Sequence, residues 1–294
     1  MTVFITGASG FIGSAIAAEL LDAGHSVLGL SHSEEGAARL KSLSIDTFKG
    51  DINDQESLRA GIELADAVIH CAYMSGFDKI AEASQQEVAA ITNLGRLLSG
   101  TDKPLLITSV AAMGASITGQ PATEEYFDAT NQNPRNATET TAEEVSNKGV
   151  KVSIVRLPQV HNTQKLGIVS SLIKIAKEKG ASAYLGEGAN RWAAAHIRDV
   201  GEVYRLVLEI NQPARYHAVA EQGVSLKEIA EAIGERLNIP AISLHEEEAK
   251  THFGPLAFFV GFDMSASSKK TQQILNWHPS GPGLIEDILQ SSLF

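Results

Sequence analysis

Cysteine is all but missing from these 294 residues. Cys71 stands alone, so no disulfide can close within the chain, and a reducing compartment is expected. Long apolar runs are missing too. The longest, Pro255 to Phe262, falls far short of the roughly 20 residues that a membrane span requires. Basic charge is in deficit, with 24 Lys and Arg against 35 Asp and Glu and a net charge of −11, which argues against nucleic acid as a main partner. No basic segment precedes the first apolar run, so no secretory leader is expected, and the location expected is cytoplasmic. There is no internal repeat and no low-complexity tract.

The chemistry of metals and covalent nucleophiles is thinly supported. The histidines show no paired ligand spacing; His245 and His252, either side of Glu246 to Glu248, come nearest and read better as part of a solvated acidic helix. No metal is expected. There is no G-x-S-x-G elbow, and Cys71 lies in an apolar strand end.

What is present is an alternation. Short apolar runs at 27–30, 45–48, 67–70, 104–108 and 152–156 alternate with helical patterns at 34–43, 55–63, 80–98 and 137–147. This predicts an α/β protein with a doubly wound parallel sheet and ligands at the carboxyl ends of its strands. After Pro158 the pattern loosens. Helices are expected at 168–178, 199–209 and 225–237, the last with Ser225 as N-cap and Glu228 in the capping-box position. Short strands are expected near 183–185 and 216–219. The chain divides into a binding domain over 1–160 and a smaller lobe over 161–294, with 196–210 returning to the main sheet.

The strongest local signal is the first turn. An apolar strand, Thr2 to Thr6, runs into Gly7-Ala8-Ser9-Gly10-Phe11-Ile12-Gly13 and then into an Ala-rich amphipathic helix. Strand, glycine turn and helix together make a phosphate cradle. Gly7 permits a tight turn, Gly10 lets backbone approach a diphosphate, and Gly13 lets the helix pack close to the strand. The helix N-terminus then offers free N–H groups and a positive dipole end to the anion. The alternative is a glycine-rich turn that packs a helix and binds nothing.

The ordered set of motifs resembles the extended short-chain dehydrogenase/reductases, the epimerase/dehydratase-like group built on a Rossmann domain. Thr6-Gly7-x-x-Gly10-x-x-Gly13 resembles their cofactor turn. Gly50-Asp51-Ile52 resembles the step at the adenine, and Ile69-His70-Cys71-Ala72 the end of strand four beneath the nicotinamide-side ribose. Thr108-Ser109-x-x-x-Met113-Gly114 resembles the segment with the catalytic serine. Arg156-Leu157-Pro158-x-Val160-His161 resembles the strand-six segment beside the nicotinamide. His196-x-x-Asp199-Val200 and Leu275-x-Trp277-x-Pro279 resemble two closing motifs. The resemblance spans essentially the whole chain. It implies cofactor contacts from Gly7 to Gly13 and at Asp51, Ile52, Cys71, Ala72, Thr108, Leu157 and Pro158.

One departure stands against these matches. The family's catalytic Tyr-x-x-x-Lys is replaced in the aligned helix by Arg135-x-x-x-Glu139, and Tyr126 has Thr130 four residues on. The chain therefore resembles atypical members that lack the pair. A positioned proton donor is worth about 10² to 10⁴ in rate, so its loss slows hydride transfer without forbidding it. Ser109 remains as a donor to a substrate oxygen, or merely satisfies local backbone. Arg135 stays charged and is a poor proton donor. It either forks an oxyanion or carboxylate or pairs with Glu139 one turn on. His161 and Tyr73 are candidate proton carriers. Arg191, Trp192 and His196 resemble the segment that closes over substrate, with Trp192 equally suited to a core.

The end of the second strand discriminates between dinucleotides. NAD binders usually carry an acid there. Here Ser31, His32 and Ser33 are donors to a 2′-phosphate, with Arg39 in reach, so NADP is expected over NAD. The leading function is an NADP-dependent oxidoreductase on a small carbonyl or alcohol. The alternatives are a non-catalytic NADP(H)-sensing regulator and a nucleotide-sugar epimerase or dehydratase. A small-molecule substrate is expected, and a homodimer through the helices at 80–98 and 137–147 by analogy of fold.

Overall fold

The computed structural model describes residues 1–73, 79–117 and 119–294. Its elements run β1 (Thr2–Thr6), α1 (Phe11–Asp22), β2 (Ser26–Ser31), α2 (Glu34–Ser42), β3 (Asp46–Lys49), α3 (Gln55–Glu63), β4 (Ala67–His70), α4 (Ile80–Leu98), β5 (Leu105–Val110) and α5 (Asn136–Asn147). They continue through β6 (Val152–Leu157), β7 (Gln159–His161), α6 (Val169–Lys179), β8 (Ser182–Leu185), β9 (Arg191–His196), α7 (Ile197–Ile210), β10 (Arg215–His217) and β11 (Glu221–Ser225). The last are α8 (Leu226–Leu237), β12 (Ala241–Leu244), α9 (Glu246–Phe253), α10 (Ala257–Val260), α11 (Lys269–Leu275) and α12 (Leu284–Gln290).

Seven strands form one sheet in the order β10-β6-β5-β4-β1-β2-β3, and every pairing is parallel. Helices cover both faces, which is why β1 and β4 are near-continuous apolar runs rather than alternating ones. On one face Ile16 and Leu20 of α1 pack with Val200, Val203 and Val207 of α7. On the other, Leu58, Ile91, Leu94 and Val145 come from α3, α4 and α5. The chain leaves β1 toward β2 and β3, then crosses back to β4 on the other side. This reversal opens a crevice at the carboxyl ends of β1 and β4.

The strand expected at 216–219 in the smaller lobe is instead the seventh strand of the main sheet. β10 pairs with β6, Arg215 opposite Ile154, and Tyr216 and His217 are fully buried there. The cause is α7, whose apolar stripe docks on α1 and carries the chain back to the sheet edge.

The remaining strands form a three-stranded sheet, β11-β9-β7, and the pair β12-β8. Around them α6, α8, α9 and α12 close a second core on Trp192, Leu172, Ile229, Phe253 and Leu284. The capping box of α8 is present. Glu228 N–H donates to Ser225 Oγ at 3.2 Å, and Ser225 N–H donates to Glu228 Oε2 at 3.0 Å. Among the described residues no helix is long and apolar enough to cross a membrane.

Candidate functional site

The turn after β1 is built for close approach. Gly7 has φ of +75°, and a Cβ there would stand 2.7 Å from the Ala72 amide nitrogen. A Cβ on Gly13 would stand 2.2 Å from the Gly7 carbonyl oxygen. Only glycine lets β1, β4 and α1 meet this closely. The N-cap of α1 is Gly10, with no side-chain cap and no acid in the first turn. The amides of Phe11, Ile12 and Gly13 have no acceptor among the described residues. Three open N–H groups at the positive end of a twelve-residue helix are able to hold an anion.

A cleft of about 340 Å³ opens at this cradle. Gly7, Ser9 and Gly10 line one end, and Ser31, His32, Ser33 and Ile52 line the side at the ends of β2 and β3. His70, Cys71, Ala72 and Tyr73 come from the end of β4, and Gln86 and Glu87 from α4. The structure thus brings together most of the residues expected to hold a cofactor.

Several others stand outside the cleft lining. Asp51 is exposed, and its Oδ1 accepts from the Asn53 amide at 2.8 Å. Thr108 Oγ1 lies 2.9 Å from the His70 carbonyl and 2.7 Å from Tyr204 Oη, tying β5 to β4 and α7 below the cleft floor. Leu157 and Pro158 are half-buried where β6 ends.

Local hydrogen bonds decide what the β2 end can offer. The Ser31 hydroxyl donates to the Ser33 carbonyl at 2.9 Å and is spent. Ser33 Oγ accepts from the Gly36 amide at 3.1 Å as the N-cap of α2, so its own proton is still available. The nearest acid, Glu34, is paired with Lys49 at 2.6 Å.

Arg135, expected either to face substrate or to pair with Glu139, does not make the local pair; its partners are two residues of the cleft lining, Glu87 and Tyr73. Its Nη1 donates to Glu87 of α4 at 3.0 Å, and its guanidinium stacks on the Tyr73 ring at 4.0 Å. The local pair fails because Arg135 precedes the first turn of α5 and leans toward α4, while Glu139 faces the sheet. Glu87 also accepts from the Thr138 hydroxyl. Burial raises the Glu87 carboxyl from its ordinary range, against the pull of Arg135 and Thr138.

His70 floors the same end. Burial, with the Arg135 cation adding to it, pushes the imidazole down to about 4, so the ring is neutral near pH 7. Its Nδ1 shares a hydrogen bond with Thr6 Oγ1 at 2.7 Å, and its Nε2 is buried without a partner among the described residues.

Beneath lies a buried ionic network. Arg156 grips Glu139 with two bonds, and Glu139 also receives the Ser109 hydroxyl at 2.7 Å and Arg215 Nε at 2.8 Å. Burial opposes charge on Glu139, yet Arg156, Ser109 and Arg215 hold its carboxyl below the usual range. An ionised carboxylate only accepts. Ser109 therefore spends its proton on Glu139 and turns lone pairs, not a donor, toward anything else.

Other candidates lie apart from the cleft lining. His161 is fully buried and bonds Asp287 of α12 at 2.6 Å. Trp192 is fully buried in the second core. Arg191 is held by Asp263 at 3.1 Å and reaches Gly119 and Ser265. His196 caps α7, accepting from the Arg198 amide at 3.3 Å. Glu87 was not foreseen from sequence; an acid within a helix carries no signal of a partner 48 positions away.

A family model described as the NAD dependent epimerase/dehydratase family matches residues 3–219. An uncharacterized protein of Schizosaccharomyces pombe is 42% identical over 296 residues, covering 100% of each chain. Another, of Saccharomyces cerevisiae, is 40% identical over 292 residues, covering 98% of each. Among solved structures, UDP-glucose 4-epimerase of Thermotoga maritima, determined with UDP-glucose, is similar with a TM-score of 0.76 at 16% identity, covering 99% of this chain and 97% of that one. That last likeness is one of fold.

Proposed function

The chain belongs to the NAD dependent epimerase/dehydratase family, and from that premise we propose that it is an NADP(H)-dependent oxidoreductase acting on a small carbonyl or alcohol. The observation that carries this reading is the trio of open amides at Phe11, Ile12 and Gly13, which follow directly on Gly10 of the cleft lining. A nicotinamide dinucleotide fits that arrangement. Its diphosphate suits the α1 amides, and its adenosine end suits the side formed by Ser31, His32, Ser33 and Ile52. When bound, such a cofactor supplies or accepts a hydride.

NADP is favoured over NAD by the chemistry at the end of β2. No carboxylate lines the cleft there, and Ser33 keeps a free proton for a 2′-phosphate. His32, also in the lining, offers a second donor. Glu34, the nearest acid, has its charge offset by Lys49.

This chain's own residues then divide the work. Tyr73 is a phenol in the cleft lining and moves a proton to or from the substrate oxygen. Arg135 lies on its ring and stabilises charge that develops there, while Glu87 fixes the guanidinium. The phenol and cation come from the end of β4 and the start of α5, rather than from one helix turn. Ser109, buried outside the cleft lining with its proton on Glu139, takes no part in this division and holds the Glu139 carboxylate instead.

Calorimetric titration with NADP and NAD, followed by NADPH turnover on a panel of aldehydes, ketones and enones, tests the reading. NADP binding and turnover of at least one class are expected. NAD binding about tenfold tighter than NADP would overturn the cofactor choice.

One observation favours a second reading, a redox-sensing regulator. Glu139 and Ser109 are both consumed by the buried network with Arg156. Partner capture with oxidised and reduced cofactor separates the two; identical captures argue against sensing. An epimerase or dehydratase acting on nucleotide sugars is supported less, because Arg191 is already neutralised by Asp263.

A further inference from the structure

The turn that follows β7 is held in place from both sides. The Asn162 amide donates to the Lys165 carbonyl at 2.9 Å, and the Lys165 amide donates back at 3.2 Å. The Asn162 side-chain oxygen accepts from the amides of Gln164 and Lys165 at 2.9 and 2.8 Å. The Thr163 carbonyl accepts from the Ser291 hydroxyl and the Ser292 amide, each at 2.9 Å. Leu166, next in the chain, is fully buried. The backbone of Lys165 is therefore fixed, although its side chain reaches into solvent.

That side chain reaches across to the cradle. Lys165 Nζ stands 5.2 Å from the centroid of the Phe11 ring. Phe11 opens α1, and its amide is one of the three left without an acceptor. Among the described residues no carboxylate pairs with Lys165. An ammonium rests on an aromatic face at the mouth of an anion site, and its charge is unspent.

We propose that Lys165 is a cofactor-binding residue whose ammonium closes over the diphosphate held by the α1 amides. The proposal rests on the reading of the cleft as a dinucleotide site. The amides and the helix end offer partial charges, and a diphosphate brings two full negative ones. A lysine in reach adds a whole positive charge where the cradle has none. Phe11 holds that ammonium close before the anion arrives, so little side-chain freedom is lost on binding. Lys165 belongs to the loop that leads into α6, and the cradle belongs to the main sheet. The contact therefore ties the smaller lobe to an occupied cofactor site. Because both dinucleotides share the diphosphate, Lys165 adds affinity for each equally and does not discriminate the 2′-phosphate.

The experiment is calorimetric titration of NADP and NAD into the intact protein and its Lys165→Met and Lys165→Arg variants, at two salt concentrations. Lys165→Met is expected to weaken both dinucleotides by about tenfold, the loss of one charge-assisted contact. Its binding is expected to depend less on salt, and Lys165→Arg to recover most of the loss. Unchanged melting temperatures exclude misfolding of an exposed-residue variant. Wild-type affinity in Lys165→Met, or equal salt dependence, overturns the proposal and leaves the cofactor reading standing. A wild-type protein that binds neither dinucleotide overturns both.

Discussion

Arg156 and Glu139 meet fork to fork with neither side chain exposed, Nε to Oε1 at 2.8 Å and Nη2 to Oε2 at 2.7 Å. The pair locks α5 onto β6, and its remaining bonds gather Ser109, Arg215, His217 and the carbonyls of Thr123 and Tyr126. Attraction offsets the cost of removing two charges from water only while every partner is in place.

Removal of one partner is therefore expected to be severe. Glu139→Ala leaves Arg156 buried and unpaired, and a loss of about 3–5 kcal/mol in urea unfolding is expected. The double variant Glu139→Leu with Arg156→Met is expected to lose less than the two single losses added together. A cost for Glu139→Ala below about 1 kcal/mol contradicts a structural role for the pair.

Ser33 offers a direct test of cofactor choice. Ser33→Asp sets a carboxylate where a 2′-phosphate is proposed to sit, while an acid at this strand end suits a ribose hydroxyl. Affinity for NADP is expected to fall at least about tenfold and affinity for NAD to hold or rise. Equal loss of both dinucleotides would show that the residue does not discriminate between them.

Tyr73→Phe keeps the ring under Arg135 and removes the hydroxyl. A fall in kcat of about 10² to 10⁴ is expected, with dinucleotide Kd unchanged. Arg135→Met is expected to lower kcat and alter its pH profile, and Arg135→Lys to restore part of it. An unaltered kcat in Tyr73→Phe removes the phenol from the chemistry.

His70 and His217 set the response to acid. Burial pushes both imidazoles down to about 4, with Arg135 adding to the effect at His70 and Arg156 at His217. Between about 6.5 and about 4 the unfolded chain takes up these protons and the folded one resists them. Stability is thus full above that window and falls as pH drops through it, by on the order of 3 kcal/mol per histidine. Urea unfolding from neutral pH down to pH 5 measures the slope, and His70→Asn is expected to flatten it. A slope identical to wild type assigns acid sensitivity to other groups.

Much of the fold was readable before any coordinates, because its signals are local. β1, the glycines and α1 follow one another without a gap, and Gly7 and Gly13 occupy the two positions where a Cβ would collide with backbone. The box of Ser225 and Glu228 spans three residues and formed as expected. β9 escaped notice because three of the six residues from Arg191 to His196 are alanine and none is β-branched or part of an alternation. The Arg135–Glu139 pair was a reasonable reading of spacing along a helix, but spacing says nothing about which face turns to the sheet.

Residue order alone settled the parallel α/β architecture and the phosphate-type turn, since both depend on apolar periodicity and backbone freedom within a few residues. It also showed that the segment from Asn136 to Asn147 carries neither tyrosine nor lysine. Which groups stand together was decided by tertiary packing. Arg135 found Glu87, Glu139 found Arg156, His161 found Asp287, and Lys165 found Phe11, across separations of 48, 17, 126 and 154 residues. The physical reason is that a buried or crowded charge takes whatever opposite charge or π-face the fold brings within a few ångströms. Nothing in the order of residues records that distance.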